Sequence, residues 1–118
     1  MAELLIEGDE LVVKMSTAER LEAVHGEVRV PVTSISRAWA VPSAWPELRG
    51  IRAPGTGIPN VVAVGTRRGQ FGKDFAVVHG TGPAVVVELE GADYQRIVVT
   101  TDDAETVASQ LEQARGRG

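Results

Sequence analysis

Short valine-rich segments follow one another along the second half of this sequence, and short glycine-containing turns separate them. In residues 83–90, Val85, Val87 and Leu89 fall on one side of an extended chain, while Val86 and two glutamates fall on the other. We expect one face of this strand to lie in the core and the other to be mostly solvated. Patterns of this kind predict seven strands, at residues 10–15, 28–32, 35–41, 60–67, 73–80, 83–90 and 94–101.

Two stretches have helical spacing instead. Ser16 and Glu19 form a capping-box pattern, and Gly26 is placed to end the short helix that it begins. Leu21 and Val24 give that helix one apolar edge. Near the C-terminus, a stripe of apolar residues at helical spacing predicts a second helix that docks on the sheets: Ala104, Val107, Ala108, Leu111 and Ala114.

Residues 43–60 interrupt the strand pattern with three prolines and three glycines. This composition predicts a long irregular connection, which inside a small domain is usually functional or a packed Ω-loop. Gly55 and Gly57 begin like a dinucleotide-binding fingerprint. The sixth position is Asn60, however, and a predicted strand follows instead of a helix, so we exclude that motif.

The length and composition fit a single domain over residues 1–118. With only two Trp, two Phe and one Tyr, the core is expected to consist of Val, Ile, Leu and Ala, which favours β structure. The absence of cysteine excludes disulfides, thiolate catalysis and Cys-based zinc sites. No signal-peptide pattern or membrane-length apolar run is present, so we expect a soluble, cytoplasmic protein without an integral membrane segment.

Charge is unevenly distributed along the chain. The net charge of −4 at pH 7 argues against nucleic-acid binding. Residues 47–73 nevertheless form a basic island, with one acid, Glu47, against five cations: Arg49, Arg52, Arg67, Arg68 and Lys73. Guanidinium groups suit carboxylate or phosphate, and the glycine-rich turn at residues 65–72 can add backbone amides, so the island is a candidate anion- or partner-binding site. The alternative is a solvated hairpin tip whose arginines pair with the protein's own acids.

Trp39 and Trp45, two of the five aromatic residues, lie close together in the sequence. They either plug the open end of a barrel, because aromatic side chains dominate small cores, or form an aromatic lip beside a ligand or partner surface.

No catalytic or metal-binding arrangement is recognisable. His25 and His79 are the only histidines, and each is expected at the end of an element, where a structural histidine is common. The sequence has no zinc-helix, nucleophile-elbow or calcium-loop motif. We therefore predict no catalytic residues, no metal site and no cofactor.

Together these elements predict a mostly β fold, an antiparallel two-sheet sandwich or partly open barrel of about seven strands closed by a C-terminal helix. The sequence over residues 11–35 and 49–69, continued by DFAVVHG, PAVVVEL and TTDDAETVASQL, resembles the bacterial pleckstrin-homology-like (PH-like) domain proteins of actinobacteria. The resemblance covers nearly the whole chain, and implies a PH-like fold with no assigned function. Phosphoinositide recognition is not implied, because the C-terminal helix has no Trp and the cations lie outside the first hairpin.

The fold and the missing catalytic set favour a non-catalytic binding module. Its partner would be an unknown protein or a small anionic ligand, with peripheral membrane contact also open. A structural protein that forms homo-oligomers through edge strands is the first alternative. A small hydrolase-type enzyme is the second, disfavoured because enzymes usually show clustered titratable groups.

Overall fold

The computed structural model describes residues 2–23, 26–59, 61–70 and 72–115, which form two β-sheets and two α-helices. The first sheet has three antiparallel strands in the order β1-β2-β3: Glu3–Glu7, Glu10–Lys14 and Val28–Pro31. The second has six strands in the order β4-β8-β9-β7-β6-β5. In chain order, β4 to β9 are Ile35–Val41, Ile51–Ile58, Val62–Gly69, Gly72–His79, Ala84–Leu89 and Arg96–Thr100. The predicted mostly β, two-sheet architecture is thereby confirmed, although the larger sheet stays open and does not close into a barrel.

Both predicted helices are present, as α1 (Thr17–Ala23) and α2 (Ala104–Arg115). The capping box is confirmed, because the Ser16 amide donates to Glu19 Oε1 at 2.9 Å and the Glu19 amide donates to Ser16 Oγ at 3.2 Å. The predicted apolar edge of α1 is wrong in one respect: Leu21 is 75% exposed. Val24, its expected companion, lies outside the described residues.

The C-terminal helix packs as its stripe predicts. Ala104, Ala108, Leu111 and Ala114 are buried, and Val107 is half-buried against the main core. In the described part of the chain, neither α-helix combines the length and the apolar character that crossing a bilayer requires.

The expectation of an irregular connection over residues 43–60 is only half correct. Residues 51–58 form β5, which pairs with β6 at the edge of the larger sheet. An edge strand tolerates proline and glycine, since one side of its backbone has no ladder to complete. The register shift between Arg52 and Gly55 accommodates this composition.

The larger sheet also departs from the expected antiparallel arrangement. Strand β9 lies between β7 and β8, and it pairs antiparallel with β8 but parallel with β7. The short connection from β7 to β8, residues 80–83, therefore crosses the end of β9. Strand β9 comes later in the chain and lies between these two strands.

Both faces of the larger sheet are covered. The inner face packs against the smaller sheet and α2, with Phe75 and Ile97 at 0% exposure. On the outer face, Val86 and Val98 belong to a second apolar cluster, against which Trp45 packs. The prediction that the second face of residues 83–90 is mostly solvated is therefore wrong, because the connection after β4 covers it.

Candidate functional site

A row of alternating charges crosses the outer face of the larger sheet. Cross-strand pairing places Arg67 opposite Asp74, Asp74 opposite Arg96, and Arg96 opposite Glu88. Glu88 in turn lies opposite Arg37 on β4. Directly opposite residues share a face of the sheet, so these side chains form one row beside the second apolar cluster.

Arg49 lies in the connection that covers this face, and its side chain pairs with Asp74, the buried acid of the row. Its Nε and Nη2 atoms donate to the two carboxylate oxygens of Asp74 at 2.8 and 2.9 Å. Asp74 is only 6% exposed, so this two-pronged pair compensates a charge that would otherwise be costly to bury. The hydrogen bond to Asp74 raises the pKa of Arg49, and the guanidinium stays charged.

Arg67 is held differently, by backbone carbonyls. Its Nε donates to the Arg49 carbonyl at 3.1 Å and its Nη2 donates to the Gly50 carbonyl at 3.2 Å. Gly50 has a φ of +76°, and a Cβ there would clash with the Arg68 carbonyl group. Only glycine permits this close approach, which brings the covering connection against the end of β6.

These contacts surround a cavity of about 410 Å³ at the β6–β7 turn. It is lined by Arg49, Arg67, Gln70, Asp74, Gln95 and three glycines. Among the described lining residues, two are arginines and one is an acid, Asp74, whose two oxygens already accept hydrogen bonds from Arg49. Arg67 Nη1 has no hydrogen bond to any residue in the described part of the chain. The cavity thus offers an anion a charged donor together with the amides of two glutamines.

The structure places four of the five cations predicted as one site, and it separates them into two pairs. Arg49 and Arg67 line the cavity. Arg68 and Lys73 lie opposite each other on β6 and β7, one position out of phase with Arg67, so they belong to the other face of the sheet. Lys73 Nζ lies 4.7 Å from the ring centroid of Tyr94. The side chain of Arg52 lies outside the described residues.

Arg96, which no sequence motif singled out, anchors the middle of the charge row. Its side chain is only 14% exposed, donates to Glu88 Oε2 at 2.9 Å and to the Glu47 carbonyl at 3.0 Å, and has a buried Nε without a partner among the described residues. Two charged residues within valine-rich strands, Asp74 and Arg96, were the available signal. A charge in an otherwise apolar strand needs a partner nearby.

Trp39 and Trp45 both pack against the outer apolar cluster and are half-buried. Trp45 Nε1 donates to the Gly80 carbonyl at 2.8 Å, and the guanidinium of Arg37 lies 4.4 Å from the Trp39 ring centroid. Neither tryptophan is among the residues that line the cavity beside Arg67. The structure thus places the predicted aromatic pair in one cluster, next to the charge row.

His79 lies at the end of β7, where its Nε2 is 2.9 Å from Glu19 Oε2 on α1. Burial raises the pKa of Glu19, but hydrogen bonds from the Ser16 amide and from His79 outweigh it, and the net pKa lies below the ordinary value of 4.5. Within residues 2–23, 26–59, 61–70 and 72–115, no three acidic or histidine side chains converge as a metal site would require. His25 lies outside those ranges.

Comparison of the chain with protein-family models, with curated proteins and with solved structures finds no match. The PH-like relationship stays a prediction from the sequence, and functional inference rests on the geometry of the site.

Proposed function

We propose that this chain is a non-catalytic binding module that holds an oxyanion, a carboxylate or a phosphate, in the cavity beside Arg67. One observation carries the proposal: two backbone carbonyls fix the Arg67 guanidinium at the cavity wall, and its Nη1 has no partner among the described residues. A donor that is already oriented loses little conformational freedom when a ligand arrives.

The other lining residues support the same chemistry. Because Arg49 occupies both oxygens of Asp74, that carboxylate does not offset the charge of Arg67. Gln70 and Gln95 supply amide donors to further ligand oxygens. An oxyanion beside Arg67 would therefore gain a charge-assisted hydrogen bond together with neutral ones.

A PH-like module would be consistent with a binding role, although fold similarity does not specify a ligand.

Neighbouring arginines give this proposal a matched control. Arg67→Ala and Arg68→Ala remove the same charge from adjacent positions, but only Arg67 lines the cavity. We expect calorimetric titration at low salt with phosphate, and separately with acetate, to detect binding of at least one anion. Arg67→Ala should weaken that binding by about tenfold or more, the loss expected for a charge-assisted hydrogen bond. Arg68→Ala removes only a more distant electrostatic attraction, which solvent ions screen, and should weaken binding by no more than about threefold.

Thermal unfolding of both variants verifies that each is folded, and Arg67→Lys provides a second cavity variant that keeps the charge but loses the guanidinium fork. Equal binding by wild type and Arg67→Ala, or equal losses in the two alanine variants, would contradict a site at Arg67. Failure of both anions to bind folded wild-type protein at low salt would also contradict it.

A further inference from the structure

Strand β4 is an edge strand of the larger sheet: it pairs with β8 on one side, and no described strand pairs with its other side. The hydrogen bonds between β8 and β9 show which backbone groups of β4 point toward β8 and which point away from the sheet. The Leu89 amide donates to the Gln95 carbonyl at 3.0 Å, so the adjoining residue of β8, Glu88, directs its backbone groups toward β4. Arg37 lies opposite Glu88, and the following residue, Ala38, therefore faces away from the sheet.

A side-chain contact agrees with this orientation. The Ala38 amide donates to Glu112 Oε2 on α2 at 2.6 Å, which places it on the free edge. Ala40, two residues further along β4, has the same orientation because backbone direction repeats every second residue. Ala38 and Ala40 thus present amides and carbonyls at the spacing of an incoming strand.

A groove of about 490 Å³ runs between this edge and α2. Ala38, Trp39 and Ala40 line the strand side, and Glu105, Ser109 and Glu112 lie on the helix side. Among the described residues that line the groove, two are acids and none is a cation. Two cations act on Glu112: Arg115 Nε donates to its Oε1 at 2.8 Å, and Arg37, which stacks on Trp39, contributes a weaker electrostatic attraction.

We propose that this groove binds an extended segment of a partner protein, which pairs with β4 as an added strand and places a lysine or arginine beside Glu105. Backbone donors and acceptors at two-residue spacing match an extended chain and not a helix. The negative lining selects a cationic segment over an acidic one. This surface is separate from the cavity at Arg67, and the proposal does not rest on the proposed anion binding.

Glu112 has a defined part in this interaction. In the unbound chain its carboxylate accepts the hydrogen bond of the Ala38 amide, as the carbonyl of a neighbouring strand would. An arriving segment replaces it with a backbone carbonyl, and Arg115 remains as a partner for the displaced carboxylate. The same contact shields an edge that would otherwise pair indiscriminately.

A displayed library of random peptides tests this surface on the full chain. Peptides of about eight residues are long enough to span the edge at roughly 3.3 Å per residue. The variant Ser109→Arg places a bulky cation in the groove from an exposed helix position, and Gln110→Arg adds the same charge at an exposed neighbour outside the groove lining. We expect selected peptides to contain Lys or Arg, and to bind wild type and Gln110→Arg alike. Binding to Ser109→Arg should be weaker by about tenfold or more, as a like-charge clash requires.

Hydrogen exchange supplies the second measurement, because peptide binding should slow exchange of the Ala40 amide. Glu105→Lys replaces Ser109→Arg if thermal unfolding shows that the latter is not folded. The proposal is overturned if no peptide is enriched, if the enriched peptides lack cationic residues, or if they bind both folded arginine variants equally. A dimer in light scattering whose Ala40 amide is protected without peptide would assign the edge to a second copy of the chain and overturn it too.

Discussion

Arg67 and Arg68 are neighbours in the sequence, yet strand geometry gives them different surroundings. Arg67 lies on the face that carries Asp74 and the cavity, while Arg68 lies on the face that carries Lys73. The alternation of a strand is sufficient to predict this separation. The pairing of Arg49 with Asp74 is not predictable in the same way, because it requires the connection after β4 to fold back over the sheet.

Glu19 is a buried acid, 3% exposed, whose ionisation should matter for stability at low pH. Its pKa lies below 4.5 in the folded chain, since hydrogen bonds from the Ser16 amide and His79 outweigh the effect of burial. A lowered folded-state pKa stabilises the fold above the unfolded value, and this contribution is lost as the pH falls through the folded value. We expect Glu19→Gln to lower the free energy of unfolding by about 1.5–3 kcal/mol at neutral pH, with the deficit shrinking below pH 4.5.

Urea unfolding of wild type and Glu19→Gln across this range provides the measurement. Glu3→Gln, at an exposed position, is the control and should change stability little at any pH. A deficit for Glu19→Gln that stays constant from neutral to acidic pH would show that the carboxylate charge contributes nothing.

At the level of elements, local signals were sufficient for the helices and insufficient for part of the larger sheet. The capping box at Ser16 and the stripe of α2 are determined by neighbours in sequence, and both were predicted correctly. Strand β5 is not predictable from its composition, because its one proline and two glycines are typical of loops and are tolerated at an edge. The parallel pairing of β7 with β9 depends on segments far apart in the chain, about which hydrophobic periodicity carries no information.

Helix α2 should be integral to the fold, because it closes the inner face at β4. Leu111 is 1% exposed within the main core. Leu111→Ala should reduce the free energy of unfolding by about 2–5 kcal/mol, the range for a buried leucine that leaves a cavity. Gln110→Ala, one position along on the exposed side, should stay within about 0.5 kcal/mol of wild type. Denaturant melts that show equal stability for the two variants would mean that α2 contributes little packing.

For the whole molecule, the principal feature is that the connection after β4 covers the outer face of the larger sheet. It adds Ala44, Trp45 and Leu48 to an apolar cluster on that face and brings Arg49 to Asp74. The cavity forms where this cover meets the β6–β7 turn. Composition and periodicity predict a mostly β domain with basic residues in this region. The site itself depends on how residues 42–50, the connection after β4, pack on the sheet.

The most direct test of the account is an amide NMR titration of the ¹⁵N-labelled chain with phosphate, and with acetate, at an ionic strength of about 20 mM, where charge screening is weak. Oxyanion binding in the cavity predicts saturable shifts for the amides of Gly69, Gln70 and Gly72 and for Arg67 Nε. These shifts should fit one dissociation constant and disappear in Arg67→Ala while persisting in Arg68→Ala. Shifts that increase without saturation and spread over the exposed cations, or their absence from Gly69, Gln70 and Gly72 with both anions, would contradict it.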